Sequence, residues 1–102
     1  MPLREIIAHL GDYPPEDGYE VGPTIYARRP WTADSPAAVL NEDPVGGTAP
    51  GEPDLHYVLE VSIASEVLMV WSRWREGASP STDEAVEAVL HYATHDAYLP
   101  VE

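Results

Sequence analysis

The densest apolar run of the chain lies in residues 55–74, LHYVLEVSIASEVLMVWSRW, which also holds two of the three tryptophans. Its first half alternates, with Tyr57, Leu59 and Val61 on one side and only Val58 breaking the pattern. A period of two with β-branched and aromatic residues predicts a strand buried on one side. The second half has the helical period, and its shared face comprises Ile63, Val67, Val70, Trp71 and Trp74. The run therefore predicts a strand that passes directly into a helix near Ser62.

The predicted helix has a wide apolar surface. Ser62 or Ser65 is its predicted N-cap, and Gly77 is predicted to end it. Leu68 and Met69 flank the main apolar stripe, so the helix is expected to be covered on more than one side, by another helix or by a second chain. Leu68 and Met69 are therefore the predicted contacts of a possible homodimer.

The remaining elements follow from local patterns. They are a helix over residues 2–10, strands over residues 24–27 and 37–40, and a last helix from a Ser81-x-x-Glu84 capping box to about Asp96. Segments 11–23 and 41–54, rich in Pro, Gly and acidic residues, are predicted loops. The order helix, three strands, two helices predicts one α+β domain over residues 1–102, with a small three-stranded, mostly antiparallel sheet covered by helices.

The charge of the chain is strongly negative. Acidic residues outnumber basic ones by 18 to 5, every basic residue is arginine, and the net charge is −13. Such a surface repels nucleic acid phosphates and anionic membranes, so a basic protein partner is expected, with no nucleic acid and no membrane partner. Adaptation to high salt accounts for the same acidity without a partner, and the use of arginine is also typical of a GC-rich genome.

Three further properties narrow the class of protein. Glu60, Glu66 and Arg73 make a membrane-spanning helix in residues 55–74 unfavourable. The lack of cysteine excludes disulfides and cysteine metal sites. No apolar leader with a cleavage site is recognised at the N-terminus, so a cytoplasmic location is expected.

The acidic segments are the first candidate binding sites. The carboxylates predicted to contact a basic protein are Asp12, Glu16, Asp17, Glu20, Glu42, Asp43, Glu52 and Asp54. They lack the ligand spacing and the glycine of a calcium-binding loop. Solvated loop charge is the alternative interpretation.

Arg29 and Trp31 form a second candidate. They belong to the only basic cluster that precedes the central helix, and arginine and tryptophan are enriched at interface hot spots. Packing of Trp31 on the core, with the arginines paired to nearby acids, explains the same residues without a partner.

His91 and His95 form a third, weaker candidate. Their spacing of four residues presents two imidazoles on one helix face, as in zinc or nickel sites. The sequence identifies no third ligand, so a solvated face with Glu–His pairs is the competing interpretation, and a surface pH sensor is another. No metal and no cofactor are predicted.

Two segments resemble a known family. They are TIYARRPWTADSPAAVL in residues 24–40 and HYVLEVSIASEVLMVW in residues 56–71. With an LREI-like first helix, a TIYA-x-x-PW-x-x-DS segment and a LEV-x-IA-x-E segment, the chain resembles a family of small uncharacterised bacterial domains. The matching positions are residues 3–6, 24–27, 30, 31, 34, 35, 59–61, 63, 64, 66 and 71. The resemblance spans most of the chain and implies a single domain, but it implies neither an activity nor catalytic residues.

Three functions remain open from the sequence. The first is an acidic protein-binding domain, specifically an immunity-like or antitoxin-like inhibitor of a basic toxin or nuclease. The second is a nucleic-acid mimic that blocks a DNA-binding or defence enzyme, and the third is a dimeric structural or regulatory domain. Because no nucleophile elbow, phosphate-binding loop or paired catalytic carboxylates are present, an enzyme is not expected.

Overall fold

A computed structural model describes residues 1–14 and 22–100 of the chain. In chain order its elements are α1 (Leu3–Ala8), a 3₁₀ turn (Leu10–Asp12), β1 (Thr24–Arg28), β2 (Ala37–Leu40), β3 (Thr48–Ala49), β4 (Glu52–Glu60), α2 (Val61–Arg73) and α3 (Thr82–His95). The predicted α+β class is confirmed. None of the helices in these two ranges is long and apolar enough to cross a membrane.

The sheet in the described residues has four antiparallel strands rather than the predicted three, in the order β2-β1-β4-β3. The additional strand, β3, and the first three residues of β4 lie in the segment 41–54, for which the sequence predicts a loop. Cross-strand pairing with Thr48 and Ala49 makes this Pro- and Gly-rich segment extended, since β structure depends on its neighbours more than on local propensity. Glu52 and Asp54 are therefore strand residues, not loop residues.

Val58, the residue that breaks the alternation, lies at an irregularity of the β1–β4 pairing. Ile25 pairs with Leu59 and Tyr26 pairs with Tyr57, so Val58 has no partner on β1. An extra residue of this kind is a β-bulge, which lets two consecutive side chains turn to the same side. Val58 and Leu59 are accordingly both buried.

Helix α2 begins directly where β4 ends. Glu60 is its N-cap, and its side chain makes no capping hydrogen bond, so the prediction that Ser62 or Ser65 caps the helix was wrong. The Val61 amide instead donates to the carbonyl of Pro23, 2.9 Å away, on the segment that leads into β1. Strand and helix are thus joined with no intervening loop, as predicted, but at Glu60.

The buried face of α2 is rotated relative to the predicted one. Its buried residues are Val61, Ala64, Val67 and Trp71. Ile63 and Val70 are half-buried and Trp74, predicted to share the core face, is 48% exposed. Leu68 packs against the core, whereas Met69 is 59% exposed. The apolar arc is so wide that contacts with α3 and β4, and not the sequence pattern, select the buried face.

Helix α1 covers the sheet next to α3. Its residues Leu3, Ile6 and Ile7, with Leu10 of the following turn, are all buried, and their spacing i, i+3, i+4, i+7 is that of one helix face. Its first amides donate to the segment before β2, Leu3 to Ser35 O at 2.9 Å and Arg4 to Ala33 O at 3.0 Å. These bonds satisfy amides that have no partner inside the helix and fix α1 against the sheet.

Helix α3 has the predicted capping box. The Ser81 hydroxyl accepts from the Glu84 amide at 3.2 Å, and the Glu84 carboxylate accepts from the Ser81 amide at 3.0 Å. The hydrogen bond from the Ser81 amide, followed by the interaction of the Ser81 hydroxyl with the same carboxylate, lowers the pKa of Glu84. Ala85, Val86, Ala88 and Val89 form the buried face of the helix.

Replacing Ser81 with alanine should lower the free energy of unfolding by about 1 kcal/mol, because the Glu84 amide then loses its acceptor. The measurement is urea unfolding followed by far-UV circular dichroism. Ser79→Ala, two residues before the cap and exposed, serves as the control and should leave the unfolding midpoint unchanged. Equal effects of both substitutions would contradict the capping role.

Candidate functional site

One face of the sheet packs against none of the helices in residues 1–14 and 22–100. Side chains alternate along a strand, and Ile25 and Ala27 belong to the hydrophobic core under the helices. Tyr26 and Arg28 therefore project from the opposite side, which we call the open face. In the register of the sheet Tyr26 lies opposite Ala38 and Tyr57, and Arg28 lies opposite Leu55. These three partners are half-buried, and none of them packs against the core cluster.

Tyr26 is the most enclosed residue of the open face. Its side chain is 0% exposed, and its ring meets that of Tyr57 edge to face at a centroid distance of 6.4 Å. Its hydroxyl donates to the carbonyl oxygen of Glu42 at 2.6 Å, which holds the chain after β2 across this face. Burial, and then the carboxylates of Asp43 and Glu42, raise the pKa of Tyr26. The tyrosine thus brings two of the predicted binding carboxylates to the open face.

A groove of about 560 Å³ lies at one end of the open face. It exists because β4 is longer than β1: Leu55 pairs with Arg28, the last residue of β1, so residues 52–54 extend beyond their neighbour. The groove is lined by Met1, Arg28, Leu55 and the segments 36–38 and 51–54. Its lining combines apolar residues, Leu55, Ala38 and the prolines, with the charged residues Arg28, Glu52 and Asp54.

Four exposed carboxylates, which we call the acidic rim, lie on the two segments next to this face: Glu42 and Asp43 after β2, and Glu52 and Asp54 at the start of β4. Glu52 and Asp54 line the groove itself. Within the described residues none of the four lies within 4.0 Å of a basic group, since the Arg–carboxylate ion pair found there joins Arg4 to Asp34. The four carboxylates, predicted from the sequence to bind a protein, are up to 12 positions apart in the chain. None of them forms an ion pair within the described residues.

The other predicted carboxylates lie elsewhere. Asp12 ends the 3₁₀ turn and lines a cleft of about 220 Å³ with Met1, Glu5, His9 and Tyr13. Met1 contributes to both this cleft and the open-face groove. Glu16, Asp17 and Glu20 lie outside the described residues.

Arg29 and Trp31 lie in a second groove, of about 580 Å³, between the segment after β1 and the C-terminal half of α3. Trp31 is half-buried against the core, and its Nε1–H donates to Ala27 O at 3.1 Å. The Arg29 guanidinium lies 5.0 Å from the Trp31 ring centroid, a cation–π contact. Trp31 thus packs on the core and also lines a groove, with Ala93 and Thr94 opposite. No carboxylate of the described residues pairs with Arg29.

The two histidines of α3 lie side by side. The ring centroids of His91 and His95 are 4.6 Å apart, with a tilt of 45° between the rings. His91 is half-buried and His95 is exposed. In the part of the chain that the structure describes, no three or more His, Cys, Asp or Glu side chains are grouped so as to hold a metal ion. The arrangement supplies two ligands and leaves out the third that a zinc site needs.

Sequence reasoning did not single out the centre of the open face, Tyr26, Arg28, Leu55 and Tyr57. One signal for it was present, because the alternation in residues 24–27 already separates Tyr26 from Ile25 and Ala27. An aromatic residue on the non-core side of a strand indicates that this side is covered as well. Comparisons of the chain with protein-family models, curated proteins and solved structures gave no match.

Proposed function

We propose that the chain is a protein-binding domain whose open face binds a basic protein, in the manner of an immunity protein or antitoxin that inhibits a toxin. The observation that carries the proposal is the acidic rim: four exposed, unpaired carboxylates, of which Glu52 and Asp54 line a groove with partly apolar walls. A partly apolar centre within a polar border is the usual arrangement of a protein interface.

The electrostatics favour a basic partner. The unpaired rim carboxylates belong to a chain with a net charge of −13, so a basic surface is attracted from a distance and associates quickly. The same negative field would repel a nucleic acid or an anionic membrane. The long-range attraction weakens with added salt, which makes it measurable.

Arg28 would add selectivity to this attraction. It is exposed at the groove, and no carboxylate within the described ranges pairs with it. A partner that is basic throughout would bring a positive charge against Arg28, whereas one with a single acid at that point would pair with it. Repulsive and attractive elements of this kind distinguish partners of similar overall charge.

The test is co-expression with the product of each gene adjacent to its own. We expect one of these proteins to co-purify at about 0.1 M NaCl and to dissociate between about 0.5 and 1 M, where exposed charges are screened. If the chain remains alone at low salt with every such product, the inhibitor proposal fails. Displacement of the chain by DNA from a DNA-binding partner would instead identify a nucleic-acid mimic.

Charge-matched variants locate the interface. Glu52→Gln with Asp54→Asn removes two rim charges and should slow association with the co-purifying protein about tenfold at low salt. Asp83→Asn with Glu87→Gln removes two exposed charges from α3 and should have a much smaller effect. Equal effects of the two pairs would mean that binding follows net charge and not the open face.

A further inference from the structure

The outward face of α2 is a second exposed surface, separate from the open face, and it combines apolar residues with one residue of each charge. Its midline residues Ser62, Glu66, Met69 and Arg73 follow the spacing i, i+4, i+7, i+11 and are all exposed. Met69 is 59% exposed, and Trp74 at the helix end is 48% exposed. Trp74 is held in place by Tyr98, whose ring lies 5.8 Å away edge to face. We call Glu66, Met69, Val70, Arg73 and Trp74 the α2 patch.

The α2 patch is much less acidic than the rest of the chain. Between Val61 and Arg73 there is one carboxylate, Glu66, and one guanidinium, Arg73, so the helix carries no net charge within a chain of −13. Neither group makes an ion pair with another described residue. Two copies of so acidic a chain repel over most of their surface, and this helix is a place where they can meet without opposing like charges.

The order of charges along α2 is complementary to itself. Glu66 and Arg73 lie 3.5 residues on either side of the midpoint between Met69 and Val70, or about 5 Å at the helical rise. A two-fold axis through that midpoint sets a second copy of the helix antiparallel to the first. Glu66 then lies level with Arg73 of the second copy, and the same pair forms again on the other side of the axis.

The apolar residues fit the same symmetry. At the axis Met69 lies beside Met69 of the second copy and Val70 lies beside Val70 of the second copy, because the two residues fall on opposite sides of the line through Glu66 and Arg73. Trp74 lies at each end on the Val70 side. An interface that repeats its contacts about a two-fold axis is the commonest form of a protein dimer.

We infer that the chain forms a homodimer through antiparallel pairing of α2, with two Glu66–Arg73 ion pairs around a centre of Met69 and Val70. This surface is on a different element from the open face, and the inference does not depend on the proposed function. Leu68, predicted from the sequence to be a dimer contact, packs against the core of its own chain and takes no part.

Charge reversal tests the pairing by sedimentation equilibrium at about 0.2 M NaCl, where general repulsion is partly screened. Glu66→Arg places a guanidinium against Arg73 of the second copy at both contacts and should weaken the dimer about 10- to 100-fold. Arg73→Glu should do the same. Glu66→Arg also reduces the net charge from −13 to −11. A general charge effect would therefore strengthen association, whereas the proposed pairing predicts that association weakens.

Mixing the variants gives the sharpest result. The Glu66→Arg chain and the Arg73→Glu chain should each be largely monomeric alone and should form a heterodimer when mixed, since both contacts are then attractive. The double variant Glu66→Arg/Arg73→Glu should regain self-association. Glu87→Arg makes the same charge change on exposed α3 and is the control, with no weakening expected. Far-UV circular dichroism verifies that each variant is folded.

The inference is overturned if the wild-type chain is monomeric up to about 1 mM. It is also overturned if the mixture associates no better than either variant alone, or if Glu87→Arg weakens the dimer as much as Glu66→Arg does.

Discussion

Replacing Tyr26 with alanine is expected to lower the free energy of unfolding by about 3–5 kcal/mol, the range for truncating a large buried side chain. Tyr26 is fully enclosed, its ring packs against Tyr57, and its hydroxyl holds the Glu42 carbonyl. The substitution therefore opens a cavity and also releases the chain after β2, which carries part of the acidic rim. A protein of this size is stable by only about 5–15 kcal/mol, so urea unfolding will show the change clearly.

Tyr26→Phe distinguishes the contribution of the hydroxyl from that of the ring. It removes the hydrogen bond to Glu42 while keeping the packing, and the expected loss is about 1 kcal/mol. If Tyr26→Ala and Tyr26→Phe destabilise equally, or if Tyr26→Ala has no measurable effect, Tyr26 does not support the open face in the way described.

The raised pKa of Tyr26 predicts part of the loss of stability at alkaline pH. Burial, then Asp43 and Glu42, raise the pKa of Tyr26 above its ordinary value of 10.0. The contribution of neutral Tyr26 to the free energy of unfolding is therefore complete below pH 10.0, and it is lost as the pH rises through the raised pKa. Tyr26→Phe should lose stability less steeply above that pH than the wild type. Part of the loss should remain, because burial also raises the pKa of Tyr57.

Trp71→Ala is expected to have an effect of similar size, about 3–5 kcal/mol. Trp71 is buried where α2 packs on the core, and the Arg75 guanidinium lies 4.4 Å from its ring centroid. Arg75 also donates to Trp71 O at 3.1 Å and to Pro100 O at 3.3 Å. Removal of the indole therefore leaves a cavity and takes away the surface that positions Arg75 against the C-terminal segment.

Trp74→Ala is the matched control, because it makes the same substitution three residues further on at a site that is 48% exposed. We expect a loss of about 1 kcal/mol or less. Urea unfolding at about 1 μM protein limits any contribution from self-association. A loss from Trp74→Ala as large as that from Trp71→Ala would support the helical face predicted from the sequence, which includes both tryptophans, and contradict the observed one.

The elements with strong local signals were predictable from the sequence. The box of Ser81 and Glu84 marks the start of α3, and the spacing of Leu3, Ile6 and Ile7 marks α1 and its buried side. Val58 was visible as an exception to the alternation. Its meaning as a bulge depends on the register of β1, which pairs residues more than 30 positions away and leaves no local signal.

The remaining features depend on tertiary contacts. The segment that forms β3 is rich in Gly and Pro, and it is extended because β4 pairs with it. The choice between Leu68 and Met69 as the outward residue depends on where α3 packs. The rim acids were identified as binding candidates, but their common position around the open face follows from the sheet order, and Arg28 drew attention only as a neighbour of Arg29.

The direct passage from Glu60 to Val61 limits how the length of the chain can vary. One inserted residue there would turn α2 by about 100° and move Val61, Ala64 and Trp71 off the core. The segment between β2 and β3, exposed from Glu42 to Gly47, precedes no helix, so a change in its length turns no buried helix face. Insertions and deletions among relatives of this protein should therefore accumulate next to the acidic rim, where they would alter partner choice, while the strand–helix junction keeps a fixed length.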